Sequence, residues 1–190
     1  MGAGGRPVKL LLQLLWLALP VIMAGLVQLW VLRRDLLPGL RAMPMDGGAT
    51  FRGRRVFGDN KTWRGALVTI TSTAITALLL AAINDAFLHW PVLVPFAQQQ
   101  PLAWGALLGT GYIIGELPNS FIKRQLDIAP GAMGKGATGR FFWVMDQLDS
   151  LAGMLLIVLP IWQPALWVVL MLILLMLIGH PIGAWVMMQF

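Results

Sequence analysis

The chain has 190 residues, of which 58% are hydrophobic and 12% are charged, and its mean hydropathy is +0.75. Soluble domains carry charge on about a quarter of their residues, so this composition excludes an ordinary soluble domain and indicates an integral membrane protein. The absence of cysteine excludes disulfides, thiolate metal sites and cysteine nucleophiles. The net charge of +6 is concentrated beside apolar runs, which is typical of membrane topology and anionic ligands rather than of nucleic-acid binding.

Five apolar runs predict five transmembrane helices in a single membrane domain covering 1–190. The first run is longer than the core of a signal peptide and no small-residue cleavage site follows it, so we expect it to be retained. The third run has four glycines at spacings that allow close helix packing. The predicted spans are 10–32, 66–83, 102–117, 148–162 and 165–179.

The basic residues predict the orientation of these spans. Twelve of the fourteen Lys and Arg residues lie in two segments, 33–65 and 118–147, which five alternating spans place on one side. By the positive-inside rule that side is the cytoplasm, so the N-terminus is outside and the C-terminus is cytoplasmic. Arg6 and Lys9 argue weakly for the reverse. We therefore expect an all-α protein integral to the cell (inner) membrane, with two functional cytoplasmic loops and an active site facing the cytoplasm.

Asp146 and Asp149 lie three residues apart at the mouth of the fourth predicted span. On a helix this spacing puts both carboxylates on one face, close enough to share a divalent cation. Magnesium, which binds through one or two carboxylates and the phosphates of a substrate, would offset the cost of two like charges beside hydrocarbon. The alternative is that both carboxylates face interfacial water and pair with Arg140 or Lys123. We expect the first arrangement, with Mg²⁺ as cofactor.

Glu116 is a carboxylate at the cytoplasmic end of the otherwise apolar third span. Ionisable residues in or beside a span are costly and usually functional. Two interpretations carry equal weight: a further metal ligand beside Asp146 and Asp149, or a structural hydrogen bond to a neighbouring helix. Asp127 is as consistent with a solvated loop residue as with a ligand.

A basic pair, Lys123 and Arg124, follows Pro118, Asn119 and Ser120. The third span is predicted to end at 117, and Asn119 or Ser120 is suited to cap a new helix after it. Backbone amides at such a helix start, with a hydroxyl and two cations, form a phosphate-binding arrangement. The alternative is that the pair only fixes the orientation of the chain.

A second polar stretch, FGDNKTWRG at 57–65, lies on the same predicted side. Asn60 or Thr62 is suited to cap the second span, and Lys61 and Arg64 add two cations. Two basic segments that converge on one carboxylate pair are typical of a site for a polyphosphate with magnesium. Neither segment is diagnostic alone.

Three motifs together resemble those of the CDP-archaeol synthases, relatives of the CDP-diglyceride synthetases. The motifs are FGDNKTWRG at 57–65, NSFIKR at 119–124 followed by Pro130 and Gly131, and DQLDS at 146–150. Their order, their spacing and the five predicted spans fit, so the resemblance covers nearly the whole chain. The chain has no His-Gly-Gly stretch, and Gln147 stands where the larger enzymes usually have arginine, which favours the small archaeol-type branch.

The resemblance implies a membrane nucleotidyltransferase of phospholipid biosynthesis. It would move CMP from CTP to a lipid phosphate, 2,3-bis-O-geranylgeranylglycerol 1-phosphate or a similar lipid, and release pyrophosphate, with Mg²⁺ required. The resemblance and the residue patterns together assign three groups of residues. These are the metal ligands Asp146, Asp149 and Glu116, the catalytic residues Asp146, Asp149 and Lys123, and the substrate contacts Asn60, Lys61, Thr62, Arg64, Ser120 and Arg124.

Two alternatives stay open. One is a phosphatidate cytidylyltransferase that acts on an acyl lipid, because selectivity for the tails resides in apolar helix surfaces that look alike in sequence. The other is a non-enzymatic membrane protein whose basic loops bind anionic lipid headgroups. The expected partners are CTP, a lipid phosphate and the bilayer, without nucleic acid, and the sequence leaves open whether the chain forms a homo-oligomer.

Overall fold

The structure is a computed structural model that describes residues 5–89, 94–132 and 134–188, without the side chains of 5–13, 15, 16 and 180–188. Arg6 and Lys9, which bear on the predicted orientation, are among the side chains outside the described part. A π-helical turn, Asn84–Leu88, follows α3. The elements are α1 (Gly5–Arg33), α2 (Pro38–Arg41), β1 (Thr50–Phe51), β2 (Arg54–Arg55), α3 (Trp63–Ile83), α4 (Pro95–Gln99), α5 (Pro101–Gln125), α6 (Gly136–Val158) and α7 (Leu166–Met188).

The predicted helical fold is confirmed, apart from the short antiparallel hairpin of β1 and β2. Two helices of the described chain are long and apolar enough to cross a membrane, Trp63–Leu88 with mean hydropathy 2.1 and Gly136–Val158 with 1.5. Shorter apolar stretches, Leu17–Arg33 and Leu166–Gly179, lie in α1 and α7. The five membrane crossings and the orientation of the termini stay predictions.

The loop predicted over 118–147 is mostly helical. Helix α5 continues through Pro118 to Gln125, and α6 begins at Gly136, so only residues 126–135 connect them. Proline removes one backbone hydrogen bond, but membrane helices tolerate it because neighbouring groups satisfy the freed carbonyl. The expectation that Asn119 or Ser120 caps a new helix is therefore wrong, and both lie inside α5.

Thr62 caps α3, and it is one of the two residues, with Asn60, that the sequence predicted for this role. It is the residue before the first helical turn, and its Oγ1 accepts a hydrogen bond from the backbone N–H of Gly65 at 3.4 Å. The segment before it is held by an antiparallel contact, in which the N–H of Met45 donates to the carbonyl of Lys61 at 2.7 Å. The polar motif at 57–65 is thus tied to the start of α3.

Helix α5 lies at the centre of the fold and packs against both α3 and α6, while α1 packs on α3 and α7 on α6. Its glycines allow this packing. A β-carbon added at Gly105 would lie 2.4 Å from the carbonyl oxygen of Thr73, and one at Gly115 would lie 2.2 Å from that of Asp149. No side chain fits at these distances, so the predicted small-residue spacing does bring the helices into backbone contact.

An apolar core fills the space between α5, α6 and α7 beyond the polar groups. Trp104 is 2% exposed and packs edge-to-face against Trp162, with 6.1 Å between the ring centroids. The Phe96 ring also packs edge-to-face against Trp104, with 6.5 Å between the ring centroids. Val158 and Val168 complete the contact between α6 and α7. This core fixes the start of α5 against the end of α6. The polar residues at the opposite ends of these two helices therefore stay aligned with one another.

One buried carboxylate, Asp46, organises the segment between α2 and α3. It accepts hydrogen bonds from the N–H groups of Gly48, Phe57 and Gly58 at 3.0, 2.9 and 3.1 Å, and from Arg55 at 2.6 Å. Burial opposes ionisation, but the Arg55 hydrogen bond and the three N–H groups outweigh it and hold the pKa of Asp46 well below its usual range. Asp46 therefore fixes the first residues of the 57–65 motif in place.

Gly115→Ala tests the contact between α5 and α6. We expect the free energy of unfolding to fall by about 1–3 kcal/mol, the usual cost of overpacking, because the new methyl group meets the backbone of Asp149. Thermal unfolding in detergent measures the effect. Gly179→Ala is the control, since a β-carbon there meets no atom of the described chain within 4 Å. Equal melting temperatures for the two variants would contradict the packing described here.

Asp46→Asn tests the loop anchor. We expect a loss of about 1–3 kcal/mol at pH 7, because the buried N–H groups lose a charged acceptor. Since folding lowers the pKa of Asp46, its contribution is full above its ordinary value of 3.8 and is lost as the pH falls below that. The difference in melting temperature from the unmodified chain should therefore shrink below about pH 4.

The matched control for Asp46→Asn is Asp59→Asn. Asp59 pairs with the same arginine, Arg55, but its side chain is 82% exposed, against 1% for Asp46. Exposed ion pairs contribute less than about 1 kcal/mol, so this variant should melt close to the unmodified protein at both pH values. A larger loss in Asp59→Asn than in Asp46→Asn would refute the role given to Asp46.

Candidate functional site

The candidate site lies on the facing sides of α5 and α6. On α5, Glu116, Asn119 and Lys123 are spaced by three and four residues, so their side chains lie along one face. On α6, Asp146 and Asp149 share a face for the same reason. Because the two helices are in backbone contact, these polar groups meet in the interior rather than in a loop.

A carboxylate pair is held together by donors from α5. The side-chain amide of Asn119 donates to Asp146 Oδ1 and to Asp149 Oδ2, both at 2.7 Å. Lys123 Nζ donates to the two oxygens of Asp146 at 2.5 and 2.6 Å. The N–H of Ser150 donates to Asp149 Oδ1 at 2.6 Å. The two aspartates share a face, as predicted. The contact of Lys123 with Asp146 is one of the two pairings that the alternative interpretation named.

Lys123 is itself enclosed. Its side chain is 10% exposed, and its ammonium group lies 5.5 Å from the centre of the Phe142 ring. A cation over an aromatic face is stabilised by the ring, more so when water is excluded. Lys123 is therefore positioned from both sides, by the Asp146 carboxylate and by the Phe142 ring.

A second ion pair, Lys61 with Glu116, adjoins the first. It links the 57–65 motif to α5, so the predicted convergence of two basic segments on one carboxylate cluster is present. Tyr112 interacts with Glu116 and with Ser150. Asp149 lies close enough to Glu116 and Lys61 for an electrostatic interaction with both. The site is thus one connected polar network across α5, α6 and the start of α3.

Arg124 is a buried cation beside this network. Its residue is 8% exposed, and its Nε and Nη1 have no hydrogen-bond partner in the described chain. A β-carbon on Gly58 would lie 3.2 Å from Arg124 Nη1 and equally close to Pro130. The guanidinium therefore lies between the loop that Asp46 anchors and the connection from α5 to α6.

The other predicted site residues have different surroundings. Asn60 and Thr62 line a cavity together with Lys61, and Ser120 is buried on α5. Arg64 is directed away, donating to Asp35 Oδ1 at 3.0 Å and to the carbonyl of Leu36 at 3.2 Å. These contacts give Arg64 a place in the junction of α1 and α3 rather than beside the carboxylates.

The sequence left open whether Asp127 is a ligand or a solvated loop residue. In the structure it pairs with Arg54 at 2.5 Å, and its side chain is 70% exposed. Arg54 also donates to the carbonyl of Gln125 at the end of α5. Asp127 therefore belongs to the surface contact between the hairpin and α5, and not to the buried network.

The side chains around Asp146 and Asp149 can be compared with the ligands that Mg²⁺ requires. The described residues contain no group of three or more His, Cys, Asp or Glu side chains arranged to hold a metal, and Glu116 is engaged by Lys61. However, Asn119 Oδ1 is buried without a hydrogen-bond partner in this part of the chain. Half a turn of the amide would present that oxygen beside Asp146 and Asp149. Two carboxylates and an amide oxygen are hard ligands of the kind that Mg²⁺ accepts, so the residues fit it.

Three residues of the network, Asn119, Tyr112 and Ser150, were not predicted as site residues. Asn119 was interpreted as a helix cap, whereas it bridges the two aspartates. The signal that identifies it is its position four residues before Lys123 on a continuous helix. Tyr112 is the only tyrosine of the chain and lies four residues before Glu116. Both of these α5 residues follow from the same helical spacing once α5 is known to extend to Gln125.

Comparison with protein families gives a match over nearly the whole chain. The CarS-like model of the CDP-archaeol synthases matches residues 7–187. The chain belongs to this family. The resemblance carried by the motifs at 57–65, 119–124 and 146–150 is therefore confirmed. Membership makes the chain a membrane transferase of lipid biosynthesis.

Individual relatives agree with this assignment. The CDP-archaeol synthase of Methanoculleus marisnigri is 34% identical over 154 residues, which cover 75% of this chain and 85% of the relative. That of Thermococcus gammatolerans is 33% identical over 151 residues, covering 77% of this chain and 73% of the relative. A solved structure described as an intramembrane enzyme for archaeal membrane lipid biosynthesis has a TM-score of 0.63 and 23% identity, over 90% of this chain and 91% of its own. At that identity the likeness concerns the fold alone.

A double-mutant cycle on Lys123 and Asp146 tests the central ion pair. Lys123→Gln or Asp146→Asn alone should destabilise the protein, because each leaves a partly buried charge unpaired. The double variant should be more stable than the sum of the two losses predicts, with a coupling of about 1–3 kcal/mol measured by thermal unfolding.

The control cycle uses Arg54 and Asp127, an ion pair whose side chains are 44% and 70% exposed. Water screens such a pair, so its coupling should be below about 1 kcal/mol. A coupling for Lys123 and Asp146 no larger than this control would show that the pair is not a buried, desolvated contact.

Proposed function

We propose that the chain is a CTP-dependent lipid-phosphate cytidylyltransferase. In the proposed reaction, an oxygen of the lipid phosphate forms a bond to the α-phosphorus of CTP, and the bond from that phosphorus to the oxygen bridging to the β-phosphorus breaks. The products are a CDP-lipid and pyrophosphate. Membership of the CDP-archaeol synthase family supports this type of transfer.

The observation that carries the proposal is the buried Arg124, whose Nε and Nη1 have no hydrogen-bond partner among the described residues, on the same helix as the residues that hold the carboxylate pair. An uncompensated buried charge is costly, so Arg124 needs an anion. A phosphate group is suited to this, because guanidinium binds phosphate through two parallel hydrogen bonds. Lys123, at the preceding position of α5, is already paired with Asp146. A polyphosphate held between the two residues would satisfy the free donors of Arg124.

The proposed chemistry needs no general base. A phosphate monoester has a second pKa of about 6, so the lipid phosphate is largely dianionic at neutral pH and can attack directly. The catalytic requirement is positioning in line with the leaving group and neutralisation of the departing pyrophosphate. Lys123 and Arg124 supply positive charge for that step, and Lys61 adds a third cation where α5 meets the 57–65 motif.

Magnesium is proposed as the cofactor, held by Asp146 and Asp149 with the amide oxygen of Asn119. When bound, it would neutralise phosphate charge in the transition state and orient the phosphates. The amide of Asn119 and the ammonium of Lys123 occupy the carboxylates in the structure. These residues thus keep the two carboxylates together, in a position where a divalent cation could take the place of the amide and ammonium groups. Ser120 and Asn60 are proposed as polar contacts to CTP.

The lipid is proposed to be an isoprenoid ether phosphate of the 2,3-bis-O-geranylgeranylglycerol 1-phosphate type. The support is the set of relatives, which are CDP-archaeol synthases. Phosphatidate, the acyl counterpart, carries the same phosphate and is the alternative substrate. The site is proposed to face the cytoplasm, where CTP is available, which agrees with the positive-inside distribution of Lys and Arg.

A turnover assay tests this proposal. Purified protein in detergent receives labelled CTP, magnesium and either the geranylgeranyl ether phosphate or phosphatidate. We expect a labelled CDP-lipid from the ether phosphate. Asp149→Asn and Arg124→Gln should each lower turnover by about 100-fold or more, because each removes charge that stabilises the transition state. Omitting magnesium should abolish product.

Asp127→Asn serves as the control, since it removes an exposed carboxylate outside the network and should leave turnover unchanged. Product from phosphatidate only would replace the lipid assignment. If neither lipid gives product and CTP with magnesium leaves the melting temperature unchanged, the protein is a non-enzymatic binder of anionic lipids, because a specific ligand stabilises the folded state.

A further inference from the structure

A basic surface lies where α1 ends and α3 begins. The apolar stretch of α1 ends at Arg33, and the candidate membrane span that includes α3 begins at Trp63, so both helices reach the membrane boundary at this level. The segment between them includes α2, which packs on α3. The N–H of Trp63 donates to the carbonyl of Met43 at 3.0 Å. Helix α2 therefore lies beside the membrane boundary, next to the start of α3.

Positive charge exceeds negative charge on this surface. Arg41 Nη1 donates to both carboxylate oxygens of Asp35 at 2.9 Å, and Arg64 Nη1 donates to Asp35 Oδ1 at 3.0 Å. One carboxylate is thus shared by two guanidinium groups, and two further arginines precede it directly in the chain. The four arginines, Arg33, Arg34, Arg41 and Arg64, with the single aspartate carry a net charge of +3.

Arg41 keeps donors for an outside acceptor. In the described chain it uses Nη1 alone in its pair with Asp35, and its side chain is 55% exposed. Arg64, by contrast, is buried and also donates to the carbonyl of Leu36 at 3.2 Å. The buried arginine holds Asp35 from the protein side, and Asp35 in turn fixes the exposed arginine. A guanidinium group positioned in this way is suited to bind a phosphate through two parallel hydrogen bonds.

Exposed apolar side chains accompany these arginines. Leu37, Met43 and Trp63 are 46%, 52% and 50% exposed. Leu37 also has a left-handed backbone, with a φ of 56°, which costs a residue other than glycine roughly 1–2 kcal/mol. An exposed leucine in a strained conformation is unfavourable in water. At the boundary of a bilayer, however, apolar and aromatic side chains of this kind contact headgroups and the first carbons of the tails.

We propose that this surface binds the headgroup of an anionic membrane lipid. The lipid phosphate pairs with Arg34 and Arg41, and Leu37, Met43 and Trp63 contact the glycerol and the start of the tails. A basic cluster with apolar side chains at a membrane boundary suits a phosphodiester that carries tails, and it suits free phosphate less well. The bound lipid offsets part of the positive charge and stabilises the junction of α1, α2 and α3.

The surface differs in composition from the candidate functional site. That site has two neighbouring carboxylates, Asp146 and Asp149, which are suited to a divalent cation. Here the carboxylate of Asp35 is occupied by two arginines. A lipid phosphate on this surface has no metal site beside it for the transfer of a nucleotide. The lipid is therefore a component of the surrounding bilayer and not the substrate, and its binding does not depend on the proposed reaction.

Thermal unfolding of the full chain in a neutral detergent is the first test. Phosphatidylglycerol added to the micelles should raise the melting temperature, because a ligand of the folded state stabilises it. Phosphatidylcholine should raise it less, since its phosphate is balanced by its own cation, and inorganic phosphate at the same concentration should leave it unchanged. An equal rise with phosphatidylcholine or with inorganic phosphate would overturn the proposal.

The double variant Arg34→Gln with Arg41→Gln tests the charged half of the surface. Native mass spectrometry measures how much phosphatidylglycerol the protein retains. We expect the affinity to fall about tenfold or more, because each arginine beside an anionic lipid contributes to binding. The rise in melting temperature with phosphatidylglycerol should disappear.

The matched control is Arg52→Gln with Arg140→Gln. These two exposed arginines, in the turn between β1 and β2 and near the start of α6, carry the same charge but lie outside the surface. The control should retain phosphatidylglycerol as the unmodified protein does. An equal loss in the two double variants would show a general effect of net charge and would reject a defined site.

Leu37→Gly tests the apolar half. Glycine adopts a positive φ without strain, so the variant should melt at or above the temperature of the unmodified protein when no lipid is added. Retention of phosphatidylglycerol should still fall by about threefold to tenfold, because the contact of the leucine side chain with the lipid is lost. Undiminished retention would mean that no lipid contacts Leu37, and the assignment to a membrane lipid would be wrong.

Turnover distinguishes a bilayer lipid from the substrate. Without phosphatidylglycerol, Arg34→Gln with Arg41→Gln should keep the half-saturating fraction of the lipid-phosphate substrate within about twofold of the unmodified value. A large increase in that fraction, with the response to phosphatidylglycerol intact, would make this surface a substrate site and reject the proposal. If the unmodified protein makes no CDP-lipid, the proposed function fails, while the melting and mass-spectrometry results still decide whether the lipid binds here.

Discussion

The distance between α5 and α6 is the constraint on which the polar site depends. Gly111 and Gly115 of α5 meet Gly153 of α6, where a β-carbon would lie 2.2 Å from the carbonyl oxygen of Gly111. Only backbone contact of this kind lets the short side chain of Asn119 reach both aspartates of the opposite helix. Any larger residue in the seam would separate the helices and place water or lipid between them.

Close approach creates an electrostatic problem that the fold solves by pairing. Carboxylates and cations inside a membrane protein are tolerated when they bind one another or line a polar cavity. Lys123 with Asp146, and Lys61 with Glu116, follow this rule. Arg124 and the amide oxygens of Asn119, Gln147 and Gln28 depart from it, since each has unpartnered atoms among the described residues, and the Nε atoms of Arg55 and Arg64 are unpartnered as well. Arg124, Asn119 and Gln147 lie on the two helices that carry the network, where substrate groups would complete the hydrogen bonding.

The loop between α1 and α3 contributes by a different means. None of its hydrophobic side chains is fully buried, and the carboxylate of Asp46 takes the place of a hydrophobic core by accepting hydrogen bonds from four donors. This anchor brings Gly58 against Arg124 and Lys61 against Glu116. A polar motif far from α5 in sequence is thereby held beside it, without a long element of regular structure to carry it.

The sequence by itself determined the helical membrane class, the family and most of the polar residues of the site, because hydropathy, helical spacing and short motifs are local properties of the chain. The pairing of Asp146 with Asp149 followed from their spacing of three. The tertiary structure decided where α5 ends, since helix continuation through Pro118 depends on neighbouring groups rather than on local propensity. It also decided that Asn119 bridges the aspartates and that Arg64 pairs with Asp35, because such contacts join residues that are distant in the chain and meet only when the helices pack.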